Sequence, residues 1–206
     1  MNVKTVGRKA SINSQEIISA ALNLVGPHRS ISSLSLREVT REAGIAPNSF
    51  YRHFKDVEAL NIAIIELAGK HLRTIIRDAR TLIINERSVV RVSVECFFSE
   101  MSKPGSTLPI LLREGTVGSG DFQDAIKKQL DFFAHELQTD LEKANAISKR
   151  YQTDETLVVA KAVTQLVFAM GGIALNSPES DLKKTTEETV LMVKFILKGA
   201  SSAKTE

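Results

Sequence analysis

The stretch REAGIAPNSFYRHF, residues 41–54, sets Asn48, Ser49, Tyr51, Arg52 and His53 side by side around a phenylalanine, with Lys55 close behind. These side chains suit recognition of nucleic acid. Arginine matches guanine O6 and N7, asparagine matches adenine N6 and N7, and tyrosine, histidine and lysine reach phosphate oxygens. At about 100° per residue, a helix here puts Phe50 and Phe54 on one face and Asn48 and Arg52 nearly opposite. The aromatics then anchor the helix, and the polar pair points at base edges in a major groove. Ser49 and Tyr51 fall on the flanks, and His53 nearer the packed side. Tyr51, His53 and Lys55 are expected to clamp phosphates, with Lys55 beside the N-terminus of the next helix, where free N–H groups favour an anion.

Such a reading helix needs a scaffold. Pro47 fits its first turn, where a missing N–H costs nothing, and the periodicity carries it to about His53 or Phe54. Upstream, SLRE offers Ser35 as cap and Glu38 as reciprocal partner of a helix that Gly44 ends. Helix, glycine turn and short helix make a helix-turn-helix over about 35–54. Ser35 and Arg37, at the start of its first helix, offer a further backbone contact. NSQE, with Asn13 and Glu16, opens the preceding helix in the same way. Arg8 and Lys9 lie ahead of that cap and can run along DNA as an arm. Residues 1–55 carry eight Lys and Arg against three Glu, so +5 of formal charge lies in a chain whose total is +3. The remaining residues are therefore slightly acidic, as expected when only one end meets a polyanion.

Beyond residue 55 the apolar residues recur at helical spacing, and no run alternates with period two. Asp56 caps a long fourth helix, DVEALNIAIIELAGKHLRTIIRDARTLI, which joins a head (1–55) to a body (56–206) with no flexible linker. Segments 87–102, about 107–115, about 121–143, 154–175 and about 182–199 complete nine helices, with SKPGS, GTVGSG and NSPESD as breakers. The chain is read as all-α. Phe97, Phe98, Met101, Leu108, Leu111, Leu112, Phe122, Ile126, Leu130, Phe133 and Phe168 can line an elongated acyl-chain cavity, or simply fill a helical core. Arg113 interrupts an apolar run and either meets a ligand phosphate or thioester or pairs inside the protein. The glycines of GTVGSG follow no strand, so a dinucleotide-binding turn is excluded and a loop is expected. Val163, Val167, Met170, Leu191 and Phe195 share an apolar face of the last two long helices and are expected at a dimer interface.

No metal-ligand spacing links His28, His53, His71 and His135 to one another or to Cys96, and no nucleophile sits in a catalytic motif. An enzyme is not expected, nor a metal or cofactor. Cys96, the single cysteine, cannot form an internal disulfide and reads as a small core residue. No apolar run approaches the roughly 18 residues that cross a bilayer, and the basic N-terminus lacks the apolar stretch of a secretory leader. A cytoplasmic protein with no membrane insertion is expected. The rival class is a helical lipid-binding protein that does not read DNA, which leaves the basic first quarter and the Asn48 and Arg52 face without a purpose.

The segment SLSLREVTREAGIAPNSFYRHFKDVEAL resembles the DNA-binding domain of TetR-family repressors, whose third helix ends in a Tyr-x-His-Phe-Lys pattern, here Tyr51, Arg52, His53, Phe54 and Lys55. Within that family, the same segment together with LLREGTVGSGDFQDAI resembles the FabR-type repressors of unsaturated fatty acid synthesis genes, and less closely the DesT type. The resemblance fades through the last third of the chain. It implies a three-helix reading head on a helical ligand-binding body, a homodimer built on the last two long helices, double-stranded DNA with a palindromic operator as partner, and a small lipophilic effector. For this branch the effector implied is a long-chain acyl thioester, on coenzyme A or a carrier protein. Unsaturated chains would favour DNA binding and saturated ones oppose it. A TetR-type regulator of other genes, answering to a different lipophilic ligand, is the neighbouring alternative.

Overall fold

Two capping boxes form at the start of the chain. Asn13 Oδ1 accepts from the Glu16 N–H (2.9 Å) and Glu16 Oε2 from the Asn13 N–H (3.1 Å), which opens helix α1, Ser14–Val25. Ser35 Oγ accepts from the Glu38 N–H (3.3 Å) while Glu38 Oε2 accepts from the Ser35 N–H (3.1 Å), which opens α2, Leu36–Glu42. Each box satisfies donors that a helix start otherwise leaves open. A 3-10 turn, Ile31–Ser33, precedes α2. Gly44 closes it at φ +68°, a left-handed conformation that a Cβ disfavours. The third helix, α3, is Pro47–Phe50.

The computed structural model describes residues 12–25, 29–81, 89–117, 120–147, 153 and 155–202, and the arm residues Arg8 and Lys9 lie outside them. Asp56 Oδ1 accepts from the Ala59 N–H at 2.7 Å and starts α4, Val57–Thr81. Helix α4 leaves the head and becomes the central strut of the body, burying Leu60, Ile64, Ile65, Ala68, Leu72 and Ile76 along one stripe. The body continues with α5 (Val89–Met101), α6 (Leu108–Val117), α7 (Gly120–Ile147), α8 (Thr156–Leu175) and α9 (Leu182–Ser202). The described residues form nine α-helices and no strand. Helix α7 packs against α8 and α4, α9 against α8 and α5, and α6 wedges between α4, α7 and α8. One hydrophobic cluster runs from Ile17 in the head to Leu197 in the body, so the two share a core through α4.

Three expectations change. The reading helix is shorter: only Pro47–Phe50 is α-helical and residues 51–53 form a turn. The Phe54 N–H still donates to the Phe50 carbonyl (3.1 Å), but the His53 N–H takes that same carbonyl three residues back (2.9 Å) and tightens the chain. The breaker GTVGSG is mostly helical, because α6 runs on through Val117 and α7 opens at Gly120; residues 118–119 lie outside the described ones. Finally, Thr156–Leu175 is long and apolar enough to cross a membrane by length and composition, with a mean hydropathy of 1.8 over its best window. Lys161 and Gln165 interrupt the run of apolar residues, but the mean stays high across them. Its buried side, including Val159, Ala160, Val163 and Ala174, belongs to the body's own core.

Candidate nucleic-acid interface

The short α3 keeps the division of faces that its sequence implies. Phe50 is fully buried and Phe54 nearly so, their ring centroids 5.7 Å apart, and Tyr51 meets the edge of Phe50 at the same distance. Pro47, Asn48, Tyr51, Arg52, His53 and Lys55 are exposed, and Ser49 is half-buried. Asn48 and Arg52 therefore point away from the aromatic anchor. His53 also faces solvent rather than the packed side, because the tightened turn after Phe50 rotates it off the helical wheel. Ser35 and Arg37 are exposed at the start of α2. The guanidinium groups of Arg37 and Arg52 have no ion-pair or hydrogen-bond partner among the described residues, so neither must break a side-chain contact to reach a phosphate or a base. Lys55 lies 3.8 Å from Asp56 and stays largely in solvent. Asp56 itself caps α4.

The head is held by groups that helical spacing does not reveal. Glu38 does more than complete its capping box: Oε2 also accepts from the Ser35 hydroxyl (2.7 Å) and from Arg29 Nη2 (3.1 Å). The Arg29 guanidinium, with the Ser35 hydroxyl and N–H, lowers the Glu38 carboxyl to about 2. Arg29 also donates to the Ser33 hydroxyl (2.8 Å) and carbonyl (2.9 Å). Only the tertiary fold brings Arg29, at the end of the link from α1, onto the first turn of α2.

In the body, Phe97, Phe98, Leu108, Leu111, Leu112, Phe122 and Ile126 are buried, and Met101, Leu130, Phe133 and Phe168 are partly buried against the same core. Four of them form a continuous aromatic column. Phe97 meets Phe98 and Phe168 at 5.4 Å, and Phe168 meets Phe133 at 5.2 Å. Arg73, on α4, stacks over Phe132 at 4.9 Å and Phe133 at 5.5 Å, donates to Gln129 Oε1 (2.7 Å) and pairs with Glu136 (3.3 Å). Its guanidinium caps the column as a cation over a ring face. Gly171 lets α8 come close, since a Cβ there would lie 2.8 Å from Phe97 and 3.0 Å from Leu112. Arg73, Gln129 and Gly171 carry no signal in the sequence, because their partners are two or more helices away. Arg113 turns toward the head, where Nη1 donates to the Arg29 carbonyl at 2.9 Å. Burial raises the half-buried Cys96 thiol above its usual range, and Sγ lies 4.0 Å from the Ile75 carbonyl.

On the last two helices, Leu191 and Phe195 are strongly exposed, at 50% and 63%, and Val167 and Met170 are half-buried. Val163 instead faces the body's own core. Val158, Ile173 and Met192 add to the apolar surface left uncovered on these helices. No group of three or more His, Cys, Asp or Glu that could hold a metal occurs among the described residues.

Comparison with known proteins places this geometry. Residues 17–64, from α1 into α4, match the family described as bacterial regulatory proteins, tetR family. Among solved structures, a TetR-family transcriptional regulator from Cytophaga hutchinsonii superposes with a TM-score of 0.69 at 14% identity, covering 93% of this chain and 96% of that one. The reduced form of NemR from E. coli gives 0.67 at 18%, covering 89% and 96%. The fatty acid degradation regulator FadR from Bacillus halodurans gives 0.67 at 14%, covering 90% and 96%. Identities this low establish a shared fold, while the match of residues 17–64 rests on sequence.

Proposed function

We propose, for a chain whose head and fold make it a TetR-type DNA-binding transcriptional regulator, that it represses fatty acid synthesis genes in response to a long-chain acyl thioester. The observation that carries the DNA half is the exposed Asn48 and Arg52 face set against buried Phe50 and Phe54. Phosphate contacts from Tyr51, His53, Lys55 and Arg37 fix the register, and Asn48 and Arg52 discriminate bases. Two copies joined through the apolar surface of α8 and α9, where Leu191 and Phe195 stand exposed, would present two heads to a palindromic operator with half-sites about one helical turn apart. Such a regulator works where the DNA is, in the cytoplasm.

The ligand half rests on the resemblance of residues 34–60 and 111–126 to FabR-type repressors, and on the aromatic column of Phe97, Phe98, Phe133 and Phe168. An acyl chain inserted beside those rings would be in apolar surroundings, with Arg73 at the end of the column as a candidate partner for an anionic head group. A cis double bond bends such a chain, and the body responds only to the extent that bent and straight chains bind its two packings with different affinity. The test is a mobility-shift assay on fatty acid synthesis promoters, with saturated and unsaturated acyl-CoA added in turn. Opposite shifts by the two ligands are expected. Operator binding that ignores both would retain the regulator and discard the acyl ligand. Absence of any preference for a palindrome over random duplex would discard the regulator in favour of a lipid-binding protein. Operator affinity should also fall with salt at a log-log slope of about −0.9 per phosphate neutralised.

A further inference from the structure

Among the described residues, the body holds the head by polar or covalent links at two places. One is α4, which is covalent. The other is the tip of α6, where Glu114, 1% exposed, extends its carboxyl to the link between α1 and α2. Its Oε1 accepts from the Ser30 hydroxyl at 2.7 Å and from the Ile31 backbone N–H at 3.0 Å. Neighbouring Arg113 donates to the Arg29 carbonyl at 2.9 Å. These bonds span more than eighty positions of sequence. They land on the segment that orients the reading unit: Ser30 caps the 3-10 turn at the Ser32 N–H (3.1 Å), and Arg29 bonds Ser33 and the Glu38 carboxyl. Glu38 in turn completes the cap of α2, the helix that carries Arg37. A hydrogen-bonded path therefore leads from α6 to the first turn of the helix-turn-helix.

We propose that Glu114 is a positioning residue for operator recognition, fixing the orientation of the head on the body by clasping Ser30 and Ile31. A rigid head attached through α4 alone can swivel about that helix. A second attachment away from the helix axis removes the swivel. In a dimer, the swivel of each head sets the spacing and rotation between the two reading helices. Glu114 thus governs which half-site spacing is read, and Asn48 and Arg52 govern which bases are read. Because α6 also packs on α7 and α8, the same clasp is where a repacking of the body around an effector would reach the head. The inference rests on the DNA-binding reading and needs no particular effector.

The experiment first selects an operator from random duplex with the full-length protein. It then measures Kd on that palindrome and on versions with the half-sites moved two base pairs apart, which rotates one about 70° relative to the other. The wild type is expected to lose about tenfold or more on respacing. E114A is expected to lose less than about threefold, while a wrong base in a half-site costs it as much as it costs the wild type. E114Q keeps an acceptor oxygen and is expected to restore the spacing preference. In the free protein, amide exchange at Ile31 is expected to quicken in E114A by about tenfold, as befits one lost bond to a carboxyl. If E114A does not fold, S30A removes one of the two donors and is expected to loosen the spacing preference in the same direction. A wild-type spacing profile in E114A, or loss of base discrimination together with spacing, would overturn the inference and reduce Glu114 to a structural cap. Selection that returns no paired half-sites would sink the DNA-binding premise itself.

Discussion

In the head, Phe50 packs on Tyr51 and Phe54, its own near neighbours in the chain; in the body, Phe97 of α5 packs on Phe168 of α8, and Phe168 on Phe133 of α7. Both are aromatic anchors, but they are assembled at different ranges. The local anchor leaves its opposite face, with Asn48 and Arg52, free for a partner. The long-range anchor lies among the helices of the body, with the largely buried guanidinium of Arg73 over Phe133 at its end. Recognition of a rigid polymer asks for a surface fixed by few degrees of freedom, which a short helix held by its own buried ring and by that of Phe54 just beyond it supplies. Response to a small ligand asks for helices that repack against one another, which a column shared by three helices supplies.

That contrast can be broken most forcefully at Phe50. Phe50→Ala removes a fully buried ring and is expected to destabilise the protein by about 3–5 kcal/mol, read by denaturant unfolding, with operator binding lost. Survival of operator binding would show that Phe54 alone holds α3. The corresponding change in the body is Gly171→Ala, whose Cβ meets the Phe97 ring and Leu112 within about 3.0 Å. Overpacking there is expected to cost about 1–3 kcal/mol, while the affinity of the folded fraction for DNA changes by less than the stability, since any effect on the reading face must pass through Leu112 and the α6 clasp. An effect on affinity as large as that on stability would mean the two regions are less separable than their packing suggests.

Arg52→Ala sharpens the comparison without disturbing either anchor. It is expected to relax base preference at one position by about 1–3 kcal/mol, measured by competition between operator variants. Uniform weakening across all sequences would assign Arg52 to phosphate. The smallest effect concerns pH. Glu38 is lowered from 4.5 to about 2 in the folded head, so its contribution to stability is present above 4.5 and fades as pH falls toward 2. A carboxyl NMR titration should place Glu38 at about 2, and Arg29→Ala should bring it back up toward 4.5. An unshifted Glu38 in the wild type would mean that the Arg29 bond does not persist in solution.

The legible part of the protein was the part governed by local rules. Asn13 and Glu16, Ser35 and Glu38, Gly44, Pro47 and Asp56 each act within four residues, and the helix starts and stops they imply appear where they stand. The length of α3 escaped, because a three-residue hydrogen bond competes with a four-residue one at Phe50 and spacing cannot decide between them. His53 followed that error. The reach of α6 through Val117 escaped as well, because glycines lower helix propensity by only about 1 kcal/mol each and packing overrides that.

What the sequence determined by itself was the all-helical plan, the basic head and the face that Asn48 and Arg52 present, since periodicity, capping and charge are local or additive properties. What only the tertiary structure decided was who stands beside whom: Arg29 on Glu38, Glu114 on Ser30 and Ile31, Arg73 on Phe133, Gly171 beneath Phe97, and Val163 turned into the core. These contacts join residues far apart in the chain, and no local preference encodes them. They follow from how several apolar faces bury one another at once, and the polar partners settle where that packing brings them.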